Sequence, residues 1–164
     1  MRLLTVNQIV ERLRSGDEAT AVNANMLRRL LAEHPIQCYQ RGSRVVVEFE
    51  EVYQLLRQLV GLMPPVRSMR IRTIRDACAF LQEKKPDLGL SEDRIRVLVQ
   101  RGIIPSIVVG NRHYIALEYF EEPYVRKVLQ DETPIIIRPK VQAAVADMLA
   151  EAQERARARS MRRK

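Results

Sequence analysis

From Leu90 to Ile115 the pattern of polar and apolar positions changes period once. Ile95, Leu98 and Val99 recur at spacings of three and four, which marks one apolar helix face. Ser91 before them is a good N-cap, and Glu92 and Asp93 occupy the first turn, where the helix dipole favours acids. Gly102 closes that helix, and Ile103 to Pro105 form a short connection. Two β-branched runs follow, SIVV and HYI, joined by Gly110-Asn111, and this predicts a tight hairpin.

The same pattern occurs earlier in the chain. Shifted by 68 residues, the two halves align without a gap. Arg2 meets Arg70, Thr5 meets Thr73, Leu13 meets Leu81, Arg28 meets Arg96 and Leu30 meets Leu98. Ile36 meets Ile104, Gly42 meets Gly110, Arg44 meets Arg112 and Glu50 meets Glu118. These identities fall at caps, apolar positions and the hairpin turn, which predicts two tandem copies of one small fold.

In copy one, residues 1–60, Thr5 caps a helix from Val6 to about Arg14 with Val6, Ile9, Val10 and Leu13 on one face. Asn23 caps a second helix, on which Leu27, Leu30 and Leu31 face inward. His34-Pro35 ends it, since proline biases the residue before it away from the helical region. Ile36–Tyr39 and Val45–Phe49 flank the turn Arg41-Gly42-Ser43-Arg44, and a third helix runs from Glu50 to Val60.

Residues 61–68, with Pro64-Pro65, read as a stiff extended linker. About nine residues separate Val60 from Met69, a reach of roughly 30 Å when extended. Two tethered modules could then occupy successive turns of a duplex. Copy two, residues 69–130, repeats the order, with a first helix from Thr73 to about Lys84 and a last helix from Glu118 to Leu129 interrupted near Pro123. In residues 131–164 a proline-bracketed strand, Ile135–Ile137, precedes a long helix from Lys140. That helix carries a narrow stripe, Val141, Val145, Met148 and Leu149, suited to a partner helix or a homodimer. From Arg155 the chain becomes strongly basic, and it is expected to be disordered without an anionic partner.

The ordered set Thr73, Ser91, Gly102, Ile104-Pro105 and Gly110-Asn111-Arg112 resembles the excisionase and MerR-like winged helix-turn-helix family over roughly residues 69–125. The resemblance implies a mainly α fold with small β-hairpin wings (α+β). Two such domains would stand in tandem ahead of a C-terminal helix. The implied function is sequence-specific binding of double-stranded DNA, as an architectural factor or transcriptional regulator.

Charge agrees with an anionic partner. The net charge is +8 and the pI near 10.0, which points to nucleic acid before a membrane surface. Residues 1–66 hold 8 basic and 7 acidic side chains, residues 67–138 hold 13 and 10, and residues 139–164 hold 7 and 3. With 46% hydrophobic residues the chain is expected to fold. Its apolar runs are too short for a membrane span, and its first residues lack a signal-peptide h-region. Cys38 and Cys78 read as separate reduced thiols, so a cytoplasmic, nucleoid-associated protein is expected.

Arg28 and Arg96 share one position on the second helix, opposite the apolar face, where arginine can reach guanine O6 and N7 in the major groove. The bland alternative is a solvated helix arginine. Arg94 and Arg101 are further candidates on the same helix, and Asn25 suits adenine. Arg44 and Arg112 follow the hairpin glycine, and the resemblance implies a phosphate contact there; a structural arginine is the alternative. Arg41 flanks the same turn. Arg155, Arg157, Arg159, Arg162 and Arg163 would add phosphate contacts in the tail. Glu92 and Asp93 would repel phosphates, which leaves open a copy two that reads DNA poorly or binds protein instead. His34 and His113 are isolated, there is no glycine-rich phosphate loop, and neither an enzyme nor a metal or cofactor site is expected. A protein-assembly adaptor, for example of phage packaging type, is the competing reading.

Overall fold

Thr5 and Thr73 each end a three-residue strand and open a helix. A computed structural model of the chain describes residues 2–64, 68–132 and 139–161. The predicted strand at Ile135–Ile137, the side chains of Val141, Val145 and Arg159, and residues Arg162 and Arg163 lie outside the described residues. Among those described, the fold is mixed α and β, with seven α-helices and two three-stranded antiparallel sheets.

In the first copy, strand β1 (Leu3–Thr5) leads into helix α1 (Val6–Gly16). Thr5 caps it by accepting from the Gln8 amide at 3.4 Å, while Gln8 accepts from the Thr5 amide at 3.0 Å. Helix α2 (Ala24–Glu33) is capped by Asn23, which accepts from the Met26 amide at 3.0 Å. It buries Met26, Leu27 and Leu30 against Ile9 and Val10 of α1. Strands β2 (Cys38–Arg41) and β3 (Arg44–Glu48) form a hairpin, and α3 (Phe49–Leu59) follows.

The second copy repeats this in the same register. Strand β4 (Ile71–Thr73), helix α4 (Ile74–Lys84), helix α5 (Glu92–Gln100) and strands β5 (Ile107–Val109) and β6 (Arg112–Ala116) take the corresponding places. Leu4 faces Val47 across the first sheet as Arg72 faces Ile115 across the second. Tyr39 faces Val46 as Ile107 faces Tyr114. The sheet orders are β1-β3-β2 and β4-β6-β5. Each hairpin turns through two residues with glycine first, Gly42 at φ +63° and Gly110 at φ +61°, a conformation that costs glycine nothing.

Several expectations change. The strands β1 and β4, absent from the sequence reading, complete each sheet. The last helix of copy two is interrupted near Pro123, as expected, but its first part is a 3₁₀ turn, Leu117–Phe120, and a cis Glu122–Pro123 bond precedes a short α6 (Val125–Leu129). Glu118 lies inside rather than on a helix start, 6% exposed. It accepts from the Arg70 amide at 3.0 Å, from Arg70 Nε at 2.9 Å and from Ser68 Oγ at 3.2 Å. Burial works against the charge on Arg70, but its hydrogen bonds to Glu118 and Glu121 outweigh it and raise the guanidinium pKa. The basic stretch after Arg155 is also ordered further than expected, since α7 runs Pro139–Met161. Alanine and arginine are good helix formers, and Glu151 pairs with Arg155 one turn on.

Residues 1–132 form one compact unit and residues 133–164 another. Within the first, the two copies share a core: Ile9, Leu27 and Leu56 belong to the same apolar cluster as Ile71, Leu98 and Ile115. The expected stiff spacer therefore does not hold the copies apart. Gly61, at φ +72°, turns the chain straight after α3, and Leu62 is 3% exposed. The Ala21 amide donates to the Ile71 carbonyl at 2.9 Å, and the Met63 amide to Tyr124 Oη at 2.6 Å. Arg72 Nη2 donates to Asp17 Oδ1 at 2.7 Å, with both side chains nearly buried. A Cβ at Gly61 would lie 2.5 Å from Pro105 Cγ in copy two. Gly61→Ala is therefore expected to cost about 2–4 kcal/mol, from the left-handed backbone and the clash together. Chemical denaturation would measure it, and a loss below about 0.5 kcal/mol would show that this contact is not formed.

Candidate nucleic-acid interface

Each copy encloses an open cleft between the start of its first helix, the exposed face of its second helix and its hairpin. Thr5, Val6, Asn7, Arg28, Leu31, Ala32, Arg44 and Val45 line the first cleft. Their equivalents Thr73, Ile74, Arg75, Arg96, Val99, Gln100, Arg112 and His113 line the second. Both enclose about 750 Å³. The agreement follows from the shared register, since each hairpin glycine sets the following arginine at the cleft edge.

A third cleft lies between the copies, where α2 of copy one meets β5 and the hairpin of copy two. Asn25, Arg28 and Arg29 line one side, and Gly110, Asn111 and Arg112 the other. The hairpin tip is close: a Cβ at Gly110 would lie 3.2 Å from Arg29 Nη1. Arg28 belongs to the middle cleft and the first, Arg112 to the middle cleft and the second. The three clefts therefore adjoin in a row, bordered at their junctions by Arg28 and Arg112, and together form an arginine-lined strip. Its lining carries Arg28, Arg29, Arg44, Arg75, Arg96 and Arg112 against one carboxylate, Glu92. The chain matches no family model, no curated protein and no solved structure.

The residues singled out from the sequence divide into groups. Asn25, Arg28, Arg44, Arg96 and Arg112 are exposed and lie on the strip. Arg28 Nη1 donates to Asn25 Oδ1 at 3.3 Å, so these two side chains are presented together. Arg96 pairs with Glu92 one turn back, which ties down the one acid in the strip. Arg41 is exposed at the hairpin turn but outside the clefts. Arg155 and Arg157 are exposed on α7, in the separate unit.

Arg94 is corrected. Its side chain is 15% exposed and pairs with Asp131, donating also to the Asp131 carbonyl. Arg101 Nη1 donates to Asp131 Oδ1 at 3.1 Å, with its side chain 46% exposed. Both arginines project from the side of α5 that meets residue 131, where Asp131 recruits them into holding the end of the unit. Arg29, Arg75 and Asn111 are strip residues that the sequence reading omitted. Arg75 and Asn111 line the second cleft within copy two and could have been found beside the Thr73 cap and the hairpin glycine, whereas Arg29 gains its place only through the contact between copies.

Arginines converging on an open groove, with the capped starts of α1 and α4 at its ends, favour anionic groups such as phosphate. His113 Nδ1 lies 3.0 Å from Ser106 Oγ, and no three His, Cys, Asp or Glu side chains gather for a metal among the described residues. No described helix is long and apolar enough to cross a membrane.

The two cysteines stand in contrasting places. Cys38 is exposed beside the first cleft; Cys78 is buried, and burial, with Glu92 nearby, pushes its thiol up. A thiol reagent is expected to label Cys38 in the folded protein, with Cys78 roughly a hundredfold slower because it must wait for unfolding. Mass spectrometry of a time course measures this, and equal rates would contradict the burial of Cys78.

Proposed function

We propose that residues 1–132 bind double-stranded DNA through this strip, as two winged helix-turn-helix modules joined into one surface. The continuity of the arginine-lined clefts across both copies carries the reading. In it, α2 and α5 enter the major groove. Asn25 and Arg28 on the first and Arg96 on the second face base edges, while Arg44 and Arg112 on the hairpins meet phosphates. The basic stretch of α7 adds sequence-independent contacts through Arg155 and Arg157. An excisionase-like architectural factor or a small transcriptional regulator fits such a surface, with no cofactor required.

The test is fluorescence anisotropy of the full chain with labelled genomic duplexes over a range of salt. Each phosphate contact steepens the slope of log K against log salt by roughly 0.9. Four or more contacts are expected, and a slope near zero would end the DNA reading. Glu92→Gln removes the strip's carboxylate and frees Arg96, so affinity is expected to rise about threefold, in keeping with a surface pair worth less than about 1 kcal/mol. Weaker binding by this variant would show that Glu92 takes part in recognition.

One observation favours a second reading, an assembly adaptor. Met148 and Leu149 stand 72% and 60% exposed on α7, adjacent apolar positions on a helix that offers a partner helix or a second copy a place to dock. Salt-independent capture of a protein partner, with no duplex binding, would favour it.

A further inference from the structure

The contacts between the copies run in one direction. Asp17, after α1 of copy one, pairs with Arg72 on β4 of copy two. The equivalent of Asp17 in copy two is Lys85, which donates to the Phe120 carbonyl of its own copy at 3.2 Å. The equivalent of Arg72 in copy one is Leu4, an apolar side chain that cannot make the reciprocal ion pair. Likewise the Ala21 amide donates to the Ile71 carbonyl, whereas Gly89, the equivalent of Ala21, donates to the Pro86 carbonyl of its own copy. Copies related by a two-fold axis would make each contact twice, residue i to j and j to i. Among the described residues these contacts have no reciprocal, the pattern of copies joined head to tail.

Orientation in the protein constrains orientation in its ligand. A two-fold arrangement matches an inverted repeat, because protein symmetry mirrors that of the site. Building on the DNA reading above, we propose that one chain recognises a single asymmetric segment of duplex, two elements in the same direction at one fixed spacing, and not a palindrome. The spacing is fixed because the Arg72–Asp17 pair and the shared core hold the two modules against each other. The two elements also differ in sequence. Asn25 beside Arg28 on α2 suits an adenine next to a guanine, whereas Arg96 on α5 stands beside Glu92 with no amide in that place.

The experiment selects tight binders for the full chain from duplexes with a randomised central segment. The recovered motif is then assayed with base pairs inserted at its centre. A motif that differs from its own reverse complement is expected, bound by one chain. Inserting five base pairs is expected to weaken binding at least tenfold. Arg28→Ala should relax base preference in one half of the motif, and Arg96→Ala in the other. A palindromic motif, or insertions tolerated within about twofold, would overturn the head-to-tail assignment while leaving DNA binding in place. No enrichment of any sequence, together with no salt-dependent binding, would overturn both.

Discussion

Asp17→Ala is expected to lower the unfolding free energy of residues 1–132 by about 3–5 kcal/mol. The variant strands the Arg72 guanidinium, whose side chain is 10% exposed, beside an empty place where a carboxylate 13% exposed now sits. Among the described residues its remaining hydrogen bond is weak by comparison, from Nη1 to the Ile71 carbonyl at 3.0 Å. Against a typical domain stability of about 5–15 kcal/mol, this is a large share of the total. The penalty comes from the uncompensated charge, so removing both partners should restore most of it. Copy one offers the model for that repair, because Leu4 occupies the position equivalent to Arg72. Asp17→Ala combined with Arg72→Leu is therefore expected to recover most of the stability lost by the single variant. Denaturant unfolding of the three variants measures this, and a loss under about 1 kcal/mol for Asp17→Ala would show that the pair is solvated and that the copies are not locked together through it.

Arg28→Ala together with Arg112→Ala is expected to weaken duplex binding by about 2–4 kcal/mol, roughly thirtyfold to a thousandfold. These two residues each line two clefts, so their loss interrupts the strip at both junctions. Both are exposed, and the fold should survive their removal. Arg94→Ala supplies the opposite control: it breaks the pairing with Asp131 and should reduce stability while leaving affinity at moderate temperature nearly unchanged. Anisotropy titrations alongside denaturation curves separate the two effects. A double variant that binds within about threefold of the parent would place the DNA surface elsewhere, and the assembly reading would then have to carry the arginine strip.

What the sequence by itself determined is what depends on near neighbours. Thr5, Asn23, Thr73 and Ser91 each cap a helix through bonds made three residues away. The apolar faces with Ile9, Leu27, Leu81 and Leu98 follow from helical period, and the hairpin turns from glycine at positive φ. Because these causes are local, the repeat could be read from their recurrence, and Arg28, Arg44, Arg96 and Arg112 could be placed in register. Tertiary structure decided what depends on distant partners. Strands β1 and β4 are only three residues long and exist because β3 and β6, about forty residues on, supply their hydrogen bonds. Arg94 was lost from the candidate surface to Asp131, and Glu118 was drawn inward by Arg70, pairings that no periodicity announces. The alignment of three clefts into one strip belongs here too. It rests on Asp17 meeting Arg72 and on Gly61 admitting Pro105, where side chains far apart in sequence become neighbours only because burying the shared apolar core brings them together.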